Sequence, residues 1–211
     1  MKTRVLEIEG TDGAGKSTAL KYLIEKLRAA GKRVLETREV GSPHIPTCVK
    51  LRELVLDPAS DLAGDSMEFI FAAMRIENQK FYEKVGNDYD FIVSDRGWLS
   101  HLAYTDHNVS KDFTDNFYYK IVKPITTLPD IVVYLDVNTD TALKRRVKRG
   151  TGMDVIEMKG VEFQEKVRKS FEEHIKFMKM SGGKTQVFTV NANQDVNGVQ
   201  QSIDDLVKEL L

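Results

Sequence analysis

Residues 5–18 read V-L-E-I-E-G-T-D-G-A-G-K-S-T, and they are the most informative stretch of the sequence. It opens with a short apolar run that is typical of a buried strand. Residues 10–17 then match G-x-x-x-x-G-K-[ST], and leucines at helical spacing follow them. The alternative is an ordinary glycine-rich turn that happens to contain Lys-Ser. A strand on one side and a helix on the other favour a phosphate-binding loop, because backbone N–H groups and a helix N-terminus together attract a polyphosphate.

Each polar residue of this loop has a role in such a site. Lys16 would reach the β- and γ-phosphates of a nucleoside triphosphate, and the Ser17 hydroxyl would ligate Mg²⁺. The sequence therefore predicts a nucleoside triphosphate site with Mg²⁺ as its metal. The predicted nucleotide-binding residues are Gly10, Thr11, Asp12, Gly13, Ala14, Gly15, Lys16, Ser17 and Thr18.

The rest of the chain alternates short apolar runs with helix-period segments. This order predicts an α/β fold of three layers, the P-loop NTPase fold, in which helices flank a five-stranded and mostly parallel sheet. No repeat or Pro/Ser-rich linker divides residues 1–211, so we expect a single domain that carries the phosphate loop. The predicted strands are residues 5–9, 33–37, 91–94, 131–136 and 186–190.

The composition is that of an ordinary folded protein and excludes several classes. The 211 residues include 31 Lys and Arg against 32 Asp and Glu, with a net charge of -1, so we expect no nucleic-acid binding. No apolar run approaches the ~20 residues of a membrane span, so we expect no membrane association. The single cysteine, Cys48, cannot form an internal disulfide, which indicates a cytoplasmic protein.

Charged residues stand where two predicted strands end. Asp95 closes the third strand and would hold Mg²⁺; alternatively, it caps the helix that begins near Trp98. Arg38 ends the second strand and Arg96 follows Asp95. Because parallel strands end at one edge of a sheet, these arginines would meet there and bind a second phosphate.

An aromatic residue and a cation, Phe71 and Arg75, lie one helical turn apart on one face. They could stack on a base and hydrogen-bond its edge. The alternative is that Phe71 simply belongs to the core.

Several motifs, in order, resemble those of the thymidylate kinase family. The specific one is residues 95–104, D-R-x-x-x-S-x-x-A-Y, because phosphate loops are shared by many families. The others are residues 8–18, T-R-E-x-G at 37–41, K-L-R-x-L-V at 50–55, F-x-x-x-R at 71–75, Y-L-D-V at 134–137 and L-K-R at 143–145.

The resemblance implies an enzyme that moves the γ-phosphoryl group of ATP to dTMP in the synthesis of dTTP precursors, and it implies a homodimer. Asp12 would contact the deoxyribose 3′-hydroxyl, Arg38 and Arg96 would hold the acceptor phosphate, and Phe71 would stack on thymine. Arg75 would bond the thymine O4, while Ser100 and Tyr104 would line the pocket. Gly97 replaces the tyrosine or histidine of the family, which predicts a more open corner and leaves base specificity undecided.

Residues 144–149 place five basic residues in six positions. A solvated helix end is one interpretation and a nucleic-acid patch another, but we expect a lid near residues 145–160 that closes over the phosphates. The family supplies a mobile arginine from the phosphate loop or the lid, and here Gly13 and Val155 stand in those places. We predict that Arg149 is the catalytic cation of the lid and that Arg145 is a second cation on the transferring phosphate. The other predicted catalytic residues are Lys16, Asp12 and Arg96.

Two alternatives stay open. One is a nucleoside monophosphate kinase of broader or shifted base specificity. The other is a P-loop ATPase switch that has no small-molecule acceptor.

Overall fold

A computed structural model describes residues 2–107, 109–149, 160–180 and 182–211. Within these residues five strands form one sheet in the order β2-β3-β1-β4-β5, and every pair is parallel. The five strands predicted from the sequence are confirmed, with ends that differ by one residue at most. The strands are β1 (Arg4–Glu9), β2 (Val34–Arg38), β3 (Phe91–Asp95), β4 (Ile131–Asp136) and β5 (Gln186–Asn191).

Helices connect the strands and cover both faces of the sheet. Three short 3-10 turns lie at Pro58–Ser60, Gly86–Asp88 and Lys123–Ile125, and π-helical turns at Thr114–Val122 continue α5. Among the described helices, none is both long and apolar enough to cross a membrane. The helices are α1 (Lys16–Ala29), α2 (Pro46–Leu56), α3 (Gly64–Val85), α4 (Trp98–Thr105), α5 (Lys111–Phe113), α6 (Thr139–Arg149), α7 (Gly160–Met180) and α8 (Val196–Leu210).

Alternate residues of the central strands enter different cores. Ile131, Val133 and Leu135 of β4 pack with α1 and α8 on one side of the sheet. Val132 and Tyr134 pack with α4 and α7 on the other side. Because both of its faces are covered, β4 is apolar from Ile131 to Leu135, which is why it could be recognised in the sequence.

Three strands end side by side at one edge of the sheet. Ile8 of β1 and Arg38 of β2 both lie opposite Asp95 in the parallel register. The phosphate loop leaves β1 at this edge, and β4 runs along the other side of β1. In open parallel sheets ligands bind outside the carboxyl ends of the strands, so the site is expected here.

Candidate active site

The phosphate loop joins β1 to α1, and its backbone depends on glycine. Gly13 has φ of 89° and Gly15 has φ of 94°, in the left-handed region that other residues rarely adopt. A Cβ on Gly13 would lie 2.4 Å from the carbonyl oxygen of Ala142, so no side chain fits there. The loop therefore has no room for an arginine at position 13.

Lys16 lies inside the loop, almost completely buried. Its Nζ donates hydrogen bonds to the carbonyl oxygens of Gly10 and Thr11, at 3.0 and 2.9 Å, and lies 3.9 Å from Asp12 Oδ1. Burial, with added repulsion from Arg96, lowers the pKa of Lys16 to about 8. A phosphate group beside Lys16 would favour its charged form.

A large cavity of about 720 Å³ opens beside the loop. Residues 12–18 of the loop line one wall, and Arg145 and Arg146 of α6 line another. A third part of the lining comes from α8 and the residues before it, which the sequence did not reveal as part of a site. These residues are Gln194, Asp195, Val196, Val199, Gln200 and Ile203.

Two of the lining residues fit a metal ion. Ser17 presents an exposed hydroxyl at the start of α1, and Asp95 lies at the end of β3. Oδ1 of Asp95 is buried and has no hydrogen-bond partner among the described residues, as expected of an oxygen that takes a ligand. No cluster of three or more His, Cys, Asp or Glu that could hold a metal occurs in the described part of the chain. One hydroxyl and one carboxylate suit Mg²⁺, which binds through one or two carboxylates together with substrate phosphates.

Asp95 does not cap α4, which was the alternative for this residue. The N-terminus of α4 is instead capped by two buried acids of β1. The backbone N–H of Trp98 donates to Glu7 and that of Ser100 donates to Glu9, both at 3.0 Å. Burial raises the pKa of both carboxyls, and repulsion from Glu9 and Glu39 adds to the effect on Glu7.

The carboxyl group of Glu7 fills the corner that Gly97 was expected to leave open, so that prediction was wrong. A Cβ on Gly97 would lie 2.0 Å from the Glu7 carboxyl carbon. The small residue is therefore required by an acid that lies ninety positions earlier in the chain.

A small cavity of about 100 Å³ lies next to the large one, and the two share Asp12, Arg52 and Arg96. Arg96 forms an ion pair with Asp12 and donates to Gly10 O and Ser100 Oγ, both at 3.2 Å. Its guanidinium also lies over the Tyr104 ring, 5.2 Å from the centroid.

Asp12, which lines both cavities, has several polar partners. Its Oδ2 accepts a hydrogen bond from the Tyr104 hydroxyl at 3.1 Å. Burial alone would raise the pKa of Asp12, but the charges of Arg96 and Lys16 outweigh burial and lower it. Asp12 is therefore a carboxylate at the point where the two cavities meet.

The predicted base-binding residues line the small cavity. Phe71 lines the cavity and also packs in a core with Cys48 and Met74, so its role in stacking on a base stays a prediction. Arg75 is buried and already engaged: it lies 2.8 Å from Glu39 and donates to Gly97 O at 2.9 Å. Ser100 and Tyr104 line the same cavity.

Arg38 is not among the lining residues of either cavity. Its Nε donates to Gly41 O at 2.9 Å, at the end of β2. Besides Arg96, Arg52 of α2 lines both cavities, and its Nη1 donates to Val40 O at 2.7 Å. The K-L-R motif at residues 50–52 was the available signal for Arg52, but no role in the site was predicted for this arginine.

The predicted lid falls largely outside the described residues, which omit 150–159. At its near end Arg145 donates to Gln194 O at 3.1 Å. Arg146 lines the large cavity, and its charge contributes to the lowered pKa of Asp12. The side chain of Arg149, the predicted catalytic cation, also lies outside the described residues.

A phosphate loop at the edge of an all-parallel sheet, with a second cavity that joins it through charged side chains, defines a P-loop phosphotransferase. Residues 8–203 match the family model for thymidylate kinase, and the chain belongs to this family. The thymidylate kinase of Thermoanaerobacter sp. (strain X514) is 30% identical over 216 residues, covering 100% of both chains. That of Pseudomonas fluorescens (strain Pf-5) is 30% identical over 98% of this chain and 95% of its own, and that of Legionella pneumophila (strain Corby) is 28% identical over 99% and 95%.

Proposed function

We propose that this protein transfers the γ-phosphoryl group of ATP to dTMP, which gives dTDP and ADP and supplies dTTP synthesis. The observation that carries this proposal is the junction of the two cavities at Asp12, Arg52 and Arg96. A triphosphate along the phosphate loop and a monophosphate in the small cavity would meet at this point. Family membership supports the identity of both substrates.

The chain's own residues position the reactants and neutralise charge, which is most of what phosphoryl transfer requires. Lys16 would bind the β- and γ-phosphates, and Arg96 would hold the acceptor phosphate. The carboxylate of Asp12 holds the guanidinium of Arg96 in place and would accept a hydrogen bond from the sugar hydroxyl. Mg²⁺, when held by Ser17 and Asp95, would supply charge neutralisation on the phosphates.

The base would enter the small cavity against Phe71, with Ser100 and Tyr104 along the sugar. Arg75 would face the base while it remains paired with Glu39. Arg52 extends the set of acceptor cations predicted from the sequence, and Arg38 would support the loop that carries Val40 and Gly41.

The direct test is to incubate the protein with ATP and Mg²⁺, with and without dTMP, and to separate the nucleotides by ion-exchange chromatography. We expect dTDP and ADP in equal amounts, and little ADP without dTMP. Equal ADP formation in both reactions would contradict the proposal and favour an ATPase switch. The same assay across dUMP, dCMP, dAMP and dGMP measures base specificity.

A homodimer is part of the proposal. Phe69 of α3 is 58% exposed, although its ring contacts that of Phe117 with centroids 4.5 Å apart. Ile121, which follows Phe117 in the sequence, is 52% exposed. Large apolar side chains exposed in this way suit a subunit contact. Sedimentation equilibrium would measure the stoichiometry.

A cytoplasmic location is also proposed. The single cysteine, Cys48, is buried and forms no disulfide, which suits a reducing compartment where ATP is plentiful. Fractionation of cells that express the tagged protein would test this location.

A further inference from the structure

Glu68 is a buried acid in the wall of the small cavity, and none of the motifs accounts for it. Its side chain is 1% exposed. It lies one turn before Phe71 and two turns before Arg75 on α3, so the three residues share a helix face. All three line the small cavity. Glu68 therefore lines the cavity in which, under the proposed function, the acceptor base would bind.

Two residues of α4 hold one oxygen of this acid. The Thr105 hydroxyl donates to Oε2 at 2.6 Å, and Nε2 of His101 lies 2.9 Å from the same oxygen. The other oxygen, Oε1, is buried and has no hydrogen-bond partner among the described residues. Because a buried carboxylate oxygen without a partner is costly, an unpaired one in a cavity wall indicates a ligand that donates a hydrogen bond there.

The edge of the base decides which ligand fits. Thymine and uracil present N3–H between two carbonyl oxygens, whereas cytosine presents an N3 that carries a lone pair and no hydrogen. At this position a carboxylate oxygen accepts a hydrogen bond from the N3–H of thymine or uracil, whereas it repels the lone pair on N3 of cytosine. Arg75, in the same cavity wall, suits a carbonyl oxygen of the base.

We propose that Oε1 of Glu68 accepts the N3–H of the acceptor base, and that Glu68 thereby selects thymine and uracil over cytosine. This inference rests on the proposed function, because it assigns the small cavity to a pyrimidine monophosphate. Thr105 and His101 act as positioning residues: by occupying Oε2 they leave a single oxygen to face the base.

The test compares kcat/KM for dTMP, dUMP and dCMP in the wild type, in Glu68→Gln and in the control Glu77→Gln, an exposed acid of the same helix. We expect the wild type to prefer dTMP over dCMP by about 100-fold or more. Glu68→Gln should reduce this ratio at least about tenfold, mainly through KM, because an amide can turn its NH₂ toward the N3 of cytosine. Glu77→Gln should keep the wild-type ratio.

A folded Glu68→Gln protein with an unchanged ratio would overturn the inference, and so would a wild type that uses dCMP as well as dTMP. If Glu68→Gln does not fold, 3-methyl-dTMP tests the wild type, because it keeps both carbonyls and lacks N3–H. We expect its turnover to be lost, and turnover equal to that of dTMP would overturn the inference. Failure of the proposed function is a separate result, in which the wild type forms no diphosphate from any monophosphate.

Discussion

The two cavities differ in how the chain builds them. The large one is built around consecutive residues, 12–18, whose backbone creates the phosphate site. The small one is assembled from side chains of α2, α3 and α4 together with the loop after β2, which lie far apart in sequence. A local site is encoded in a short motif, whereas a nonlocal site depends on which side chains the fold brings together. The predictions below test this difference.

The largest effect is expected at the phosphate loop. Lys16→Ala should reduce kcat by at least about 10²–10³-fold, because the buried ammonium is the loop's cation toward the phosphates. Steady-state kinetics measure this effect, with Lys21→Ala, an exposed lysine of α1, as the control. Near-normal turnover by a folded Lys16→Ala protein would remove the loop from the mechanism.

The next effect concerns the basic end of α6. Nε of Arg146 is buried and has no hydrogen-bond partner among the described residues, whereas Arg145 is bonded to Gln194 O. Arg146→Ala should therefore reduce kcat by about 10²-fold or more, and Arg145→Ala by less.

Arg149→Ala belongs in the same series, since the sequence predicts Arg149 as the catalytic cation. Single-turnover kinetics with all three variants separate the chemical step from substrate binding. If only Arg149→Ala changes kcat, Arg146 lines the cavity without acting in catalysis. The prediction that Arg149 is the catalytic cation is then confirmed.

A third effect is on stability and belongs to the small cavity. Arg75→Ala should lower the free energy of unfolding by about 3–5 kcal/mol, because it leaves the buried Glu39 without its cation. It should also weaken dTMP binding. Urea unfolding and calorimetry measure the two effects.

The control for Arg75 is Arg33→Ala, which breaks a comparable 3.0 Å pair with Asp90 at the surface, where solvent screens the charges. Equal stability losses in the two variants would show that the pair of Arg75 and Glu39 is not a buried one in solution.

The smallest effect tests the packing of Gly97 against Glu7. Gly97→Ala should destabilise the protein by about 1–3 kcal/mol, because the new methyl group overlaps the Glu7 carboxyl. In the Glu7→Ala background the same change should cost much less. Thermal melting of the two single variants and the double variant measures this coupling, and simple additivity would mean that the two residues do not touch.

The sequence predicted the fold nearly completely because the relevant signals are local. Apolar runs identified the strands, and G-x-x-x-x-G-K-S identified the phosphate loop with Lys16 and Ser17 in place. Asp95 was expected beside the phosphate loop because parallel strands end at one edge of the sheet, and it lines the large cavity.

The small cavity could not be predicted to the same depth. Arg38 and Arg52 are both arginines near the same loop, and only the path of α2 decides that Arg52 faces the cavities. Gly97 indicated open space when considered alone, and only its distance to Glu7 shows otherwise. Glu68 lies in a helical stripe where nothing local distinguishes a cavity wall from a surface.

The proposed function requires the two cavities to form one phosphoryl-transfer site. This requirement is tested by the binding of adenosine and thymidine joined at their 5′ positions by five phosphates, measured by isothermal titration calorimetry. We expect one molecule to bind per chain, with binding weakened by prior saturation with either ATP or dTMP. A compound that competes with ATP alone, and leaves dTMP binding unchanged, would contradict it.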